Sequence, residues 1–197
     1  MPLVKTPRYK EYLQFLRSRA PEKTVSHCIF VAEYLTSFAE GLGIAHDDAA
    51  AAGLLHDVCR RASAQELLAQ AREYGLPLGE AQLARPMLLH GAVGAELVKR
   101  DLGIDDEGVC EAIAWHTTGR PGLGVLGQAL YVADFAEPTR KYPAAGEARE
   151  ILRREGFSAA LRFVAKCKAG HVSKAGVVEP NGAAFHCWLS REFGDGD

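Results

Sequence analysis

The chain is short of the features that would place it in a special class. Five cysteines stand in 197 residues (Cys28, Cys59, Cys110, Cys167 and Cys187), an odd number with no CxxC pair. That excludes a disulfide framework and reads as reduced thiols in a cytoplasmic protein. Met1 to Ala20 is charged and carries no long apolar run, so no signal peptide is expected there. No apolar run approaches the ~20 residues that a membrane span needs. Neither sign of charge dominates: 23 Lys and Arg face 25 Asp and Glu, for a net charge of −2. No global basic field therefore favours a nucleic-acid polymer, although a local basic patch in a cleft stays open. Alternating strands, βαβ spacing and internal repeats are all missing, and low complexity is confined to the alanine run Ala49–Ala52.

What is present reads as helix almost throughout. Hydrophobic residues make up 48% and charged residues 24%, ordinary values for a globular chain. A chain of this length buries ~70% of the surface of its unfolded state and needs no staple to fold. Tyr9, Tyr12, Leu13 and Leu16 recur at helical spacing up to Pro21. A second helix is expected over Lys23 to Ala39, with His27 extending the stripe Val31, Tyr34, Leu35 and Phe38. A third, capped by Asp47 or Asp48, runs through the alanines to Arg60. Ser63-Ala64-Gln65-Glu66 is a capping box opening a fourth, which ends near Gly75. Further helices fall at about Leu88–Arg100, after Asp105 to His116, and from Val125 to Ala136, where Pro138 stops the chain. At least two more follow. The expectation is an all-α protein, a single compact domain over 1–197, with a motif-bearing core at about 23–142 and C-terminal helices at 144–193.

The chemistry gathers around Gly53-Leu54-Leu55-His56-Asp57-Val58-Cys59-Arg60. An imidazole and a carboxylate on adjacent residues, at the end of an apolar run, are costly to bury without a partner. A metal cation is the partner that suits both. Four more candidate ligands occur on or at the ends of expected helices: His27, His90, His116 and Asp134. Asp57 reads as a bridge, with His27, His56 and Asp134 on one ion and His90 and His116 on the other. Such a mixed set suits Fe, Mn, Ni, Zn or Co and is too rich in nitrogen for Mg or Ca. The competing reading is a structural helical domain whose histidines are satisfied by hydrogen bonds. His46, His171 and His186 lie in polar or turn-rich settings and match no ligand pattern.

The order His…His-Asp…His…His…Asp on successive helices resembles the HD-domain superfamily of metal-dependent phosphohydrolases. Three blocks go further: Leu88-Leu89-His90-Gly91-Ala92-Val93-Gly94-Ala95, Ala114-Trp115-His116-Thr117-Thr118-Gly119-Arg120-Pro121-Gly122, and Tyr131-Val132-Ala133-Asp134-Phe135-Ala136-Glu137-Pro138-Thr139-Arg140. They are similar to the YqeK family, over roughly His27 to Tyr142. The resemblance implies an HD-domain helical bundle that cleaves diadenosine tetraphosphate symmetrically to two ADP by a metal-activated hydroxide, with His56 and Asp57 catalytic and iron as the metal. Two departures stand out. Arg60 occupies the place of the lysine usual in the family, three residues after the His-Asp pair, and Val178-Glu179-Pro180-Asn181-Gly182 follows the family pattern only loosely.

Hydrolysis of a phosphoanhydride needs an activated water and a clamp for phosphate charge. Arg60, Arg61, Thr117, Arg120 and Arg140 lie near the ligands in sequence and are the expected clamp. Two alternatives remain at this level: hydrolysis of another nucleotide by the same machinery, and a metal-containing nucleotide-binding module with little turnover. The expected partner is a dinucleoside polyphosphate or other nucleotide, with neither nucleic-acid polymer nor membrane, and the chain is compatible with a homodimer.

Overall fold

The computed structural model describes residues 7–174 and 180–194. Among these there are eleven α-helices and no strand, as the sequence periodicity predicts. They are α1 (Tyr9–Arg19), α2 (Glu22–Ala39), α3 (His46–Leu55), α4 (Ala64–Glu73), α5 (Glu80–Ala84), α6 (His90–Leu102), α7 (Glu107–Trp115), α8 (Val125–Ala136), α9 (Pro143–Glu155), α10 (Phe157–Lys174) and α11 (Pro180–Phe193). Single 3-10 turns occur at Glu40–Leu42 and Pro86–Leu89. Val178 and Glu179, the first two of the five residues of the loosely matching C-terminal motif, lie outside the described residues.

Local chemistry accounts for most boundaries. Ser63 and Glu66 form the reciprocal capping box, the Glu66 backbone N–H donating to Ser63 Oγ at 3.2 Å and the Ser63 N–H to Glu66 Oε2 at 2.7 Å. Three expectations need correction. Asp106, not Asp105, caps α7: its carboxylate accepts from the Val109 N–H at 2.9 Å. Asp47 and Asp48 lie inside the first turn of α3, where they face the positive end of the helix dipole instead of capping it. Finally, α3 stops at Leu55. His56 is its C-cap, and the chain then tightens into turns in which the Val58 N–H reaches Leu55 O and the Arg60 N–H reaches Asp57 O. Asp57 thus leaves the helix at the point where its side chain must turn inward. The short α5 carries too few residues for a periodic signal and is absent from the sequence reading.

Two apolar clusters fill the interior. The larger joins α1–α4, α6 and α7 through Leu16, Val25, Leu35, Leu54, Leu67, Val93 and Ile113. The smaller joins α8–α11 through Val132, Leu161, Val164, Phe185 and Leu189. Helix α8 serves both, giving Leu130 and Ala133 to the first and Tyr131, Val132 and Phe135 to the second. It is apolar nearly all round, which is the pattern of a helix buried on every side. Asp134 interrupts that pattern.

Backbones approach closely at two glycines. A Cβ on Gly53 of α3 would stand 2.5 Å from the Cα of Ala32 on α2. One on Gly91 of α6 would stand 2.7 Å from the Ala114 carbonyl and 2.8 Å from that of Ile113 on α7. These contacts bring α2 to α3, and α6 to α7, at the levels where their histidines emerge.

Candidate metal centre

Four imidazoles converge, and each has one nitrogen engaged away from the centre. Nδ1 of His56, His90 and His116 lies 2.9, 2.6 and 2.8 Å from the carbonyl three residues earlier: Gly53, Met87 and Ile113. Carbonyls only accept, so each Nδ1 carries the proton and each Nε2 presents a lone pair. Nδ1 of His27 lies 3.4 Å from Glu137 Oε1 instead. Backbone or carboxylate acceptors behind a histidine are the usual device for fixing a ligating tautomer.

The inward nitrogens meet Asp57. Its Oδ1 is 3.1 Å from His90 Nε2 and 3.5 Å from His116 Nε2, while Oδ2 is 3.8 Å from His56 Nε2. Two groups result, each able to surround one ion: His27, His56 and Asp57, and Asp57, His90 and His116. Asp134 adjoins the first group, with Oδ1 at 3.2 Å from His27 Nε2 and 3.9 Å from His56 Nε2. The structure therefore brings all six sequence-selected ligands together.

Two observations test whether a cation suits this arrangement. His56 Nε2 is fully buried and has no hydrogen-bond partner among the described residues, a costly state for a lone pair. His90 Nε2 and His116 Nε2 lie 3.1 Å apart, and with both rings protonated at Nδ1 these are two acceptors facing each other. A cation between such donors removes both difficulties. The donor set of neutral imidazole and carboxylate is compatible with a divalent transition metal.

Electrostatics agree with that use. Burial lowers the His56 pKa to about 4, which keeps the ring neutral. Burial likewise lowers His90. Burial opposes ionisation of Asp57, but the surrounding His56, His116 and His90 outweigh it and hold the carboxyl well below its ordinary range. Asp134 behaves alike: burial is overcome by His27 and Lys168, and the group stays ionised.

A cavity of about 1170 Å³ opens onto the centre, lined by His27, Asp57, His90, His116 and Asp134. Ordinary small-molecule pockets measure ~300–1,000 Å³, so this one has room for an extended ligand. Lys23, Arg60, Arg61, Arg140 and Lys168 also line it. Five cations against two carboxylates form a basic cleft in a chain whose net charge is −2. Arg140 Nη2 lies 3.1 Å from Asp134 Oδ1, and its Nε donates to the Asp134 carbonyl at 3.2 Å. Thr117 Oγ1 lies 3.0 Å from His116 Nε2.

Arg120 is not in this cleft. The loop after His116 turns at Gly119 and Gly122, both with positive φ, and delivers Arg120 to the outer face of α7. There it pairs with Glu111 beside Trp115, in a separate cavity of about 650 Å³. Sequence proximity to His116 says nothing about which way such a loop leads.

Two residues of the site are absent from the sequence-selected set. Lys168 on α10 is the first: its Nζ donates to the His116 carbonyl at 3.1 Å, sits 3.6 Å from Asp134 Oδ2 and lies 3.7 Å from the Tyr131 ring centroid. Glu137 is the second. It is 1% exposed and accepts from the Thr139 backbone at 2.6 Å and hydroxyl at 2.7 Å while backing His27. It lies within the Tyr131–Arg140 block that carries the family resemblance, which is the signal that could have found it.

An all-helical protein that gathers three buried imidazoles and a half-buried fourth around a shared aspartate belongs to the class of helical proteins with a histidine–aspartate cluster fit to hold metal. The chain belongs to the HD domain family, whose model matches residues 24–156. Among proteins of known role it is similar to the symmetrical bis(5'-nucleosyl)-tetraphosphatase of Bacillus subtilis, with 29% identity over 182 residues, 91% of this chain and 96% of that protein. The enzyme of the same name from Halalkalibacterium halodurans is 32% identical over 137 residues, 70% of this chain and 73% of its own. Among solved structures, a predicted HD superfamily hydrolase involved in NAD metabolism from Clostridium acetobutylicum superposes with a TM-score of 0.88 at 29% identity. That match covers 93% of this chain and 97% of the other. No helix among the described residues is long and apolar enough to cross a membrane.

Proposed function

We propose that the protein is a metal-dependent phosphohydrolase that cleaves diadenosine tetraphosphate symmetrically into two ADP. The observation that carries this reading is the basic cleft opening onto two ligand groups that share Asp57. The similarity to two symmetrical bis(5'-nucleosyl)-tetraphosphatases, one of them along nearly its whole length, supports the substrate class.

In this reading His27, His56 and Asp134 would hold one ion, His90 and His116 a second, and Asp57 would serve both. Two ions, iron by family resemblance, would supply the Lewis acidity that lets water act as a nucleophile at neutral pH. The chain's own residues do the rest. Buried neutral His56 and ionised Asp57 keep the donor set fixed. Arg140 and Lys168, both beside Asp134, face the phosphates as cations, and Arg60, Arg61 and Lys23 extend that charge along the cleft. Arg60 adds a planar fork where a lysine would offer a point charge, and it can bridge two phosphate oxygens at once. Thr117 offers a hydroxyl at the second group. The leaving group is itself a phosphate ester, so no acid on the protein is required to expel it.

The test is product analysis with purified, metal-loaded protein. Two ADP from diadenosine tetraphosphate is the expected result. ATP plus AMP would remove the symmetrical assignment, and turnover of mononucleotides alone would move the protein to another nucleotide substrate. Elemental analysis of the same preparation identifies the metal and its stoichiometry.

A further inference from the structure

Two large, exposed apolar side chains on the wall of the cleft have no task in holding metal or phosphate. Tyr142 and Met87 are 40% and 39% exposed, and both line the same cavity as the ligands. The tyrosine is arranged the unusual way round. Its hydroxyl donates to the Phe135 carbonyl, and its ring stands edge-on to Phe135 at 5.2 Å and 76°. A surface tyrosine ordinarily turns its hydroxyl to water and its ring to the core. Here the polar end is occupied by the backbone and the ring is left open to the cleft. Pro143 follows at once and begins α9, which fixes the backbone behind the ring.

Met87 lines the same cavity and is likewise partly exposed. It belongs to the 3-10 turn before α6, and its carbonyl accepts from His90 Nδ1. Met87 therefore stands beside the group formed by Asp57, His90 and His116 and lines the cavity that opens onto it. Tyr142 packs on Phe135, the neighbour of Asp134, which touches His27 and His56 of the first group. The two apolar surfaces therefore sit beside different ligand groups, with the cations of the cleft for company.

We infer that Tyr142 and Met87 are the two base platforms of the substrate site, one for each nucleoside of a dinucleoside polyphosphate, an inference that rests on the function proposed above. One purine stacks on the exposed tyrosine face. The other lies against the methionine thioether, a flexible and polarizable surface that suits a flat ring. A phosphate chain held at both ends presents its middle to Asp57. Symmetrical cleavage then follows from a platform at each end, not from recognition of the bond itself.

Kinetics of the metal-loaded enzyme test this, with inorganic tripolyphosphate as a competitive ligand that has phosphates and no base. Tyr142→Leu and Met87→Ala are each expected to raise KM for diadenosine tetraphosphate about tenfold, within the usual weight of one base stack. In both, kcat and the inhibition constant of tripolyphosphate should stay near wild type, and Tyr142→Phe should restore KM. Unchanged KM in both truncations overturns the inference. So does a parallel loss of tripolyphosphate affinity, which would mean a deformed cleft. Should the wild type not turn over the dinucleotide at all, the functional reading fails separately. Calorimetry with ADP against tripolyphosphate then still decides the platforms: Tyr142→Leu must weaken ADP and spare tripolyphosphate, and equal effects on both overturn the role.

Discussion

Asp57 gives one oxygen to His90 and His116 and the other to His56, so a single carboxylate belongs to both halves of the centre. Removing it should empty both. Asp57→Ala is expected to lose bound metal and turnover together, while the far-ultraviolet circular dichroism stays that of the wild type, because the apolar core does not pass through this residue. Metal that persists at wild-type stoichiometry by elemental analysis would contradict the bridging role. Glu137 acts one layer out, behind His27. Glu137→Gln should weaken metal affinity ~10–100-fold, the usual weight of such support, as read by competition with a chromogenic chelator. The six candidate ligands were legible in the sequence because His and Asp are rare on apolar helix faces and fell in a recognisable order. Lys168 was not, since a lysine in a C-terminal helix looks like solvated surface until tertiary packing buries it, and Glu137, although inside a recognised block, looks like an ordinary acidic residue at a helix end. Arg120 erred the opposite way: near a ligand along the chain, yet carried off by a loop with two left-handed glycines.

Among elements, the pairing of helices matters more than any helix alone. His27 and His56 come together where α2 meets α3 at Gly53, and His90 and His116 where α6 meets α7 at Gly91. Each glycine therefore sets the spacing of one ligand group. Gly91→Ala would drive a methyl into two backbone carbonyls, which cannot give way as a side-chain tip can. An overpacking cost of about 1–3 kcal/mol is expected in denaturant unfolding. The same variant should lose metal from the His90–His116 group first, so stoichiometry should fall to about half of the wild-type value while the remaining ion is retained. Helix periodicity located these elements well. It missed α5, too short to show a period, and ran α3 past Leu55, because nothing in Ala49–Arg60 marks where the turns begin.

For the molecule as a whole, the C-terminal helices raise the question of whether they merely follow the motif-bearing part. We propose that the two form one folding unit, a reading supported by α8, which packs into both apolar clusters, and by Lys168, which reaches from α10 to the His116 carbonyl and Asp134. Lys168→Met keeps the length of the side chain and removes its charge. It should raise KM for the polyphosphate about tenfold, as expected for one lost charge-assisted contact, and leave the protein melting in a single calorimetric transition. Two separated transitions in the wild type would instead divide the chain.

The five cations of the cleft have a last consequence. They are set in a chain whose net charge is −2, so the opening is a locally positive region of a weakly negative molecule. An anionic ligand would be drawn toward that opening before contact. This guidance acts only over the reach of the unscreened field, which shrinks from ~30 Å at 0.01 M salt to ~8 Å at 0.15 M. Raising ionic strength across that range should lower kcat/KM severalfold while kcat, which is set after capture, holds steady.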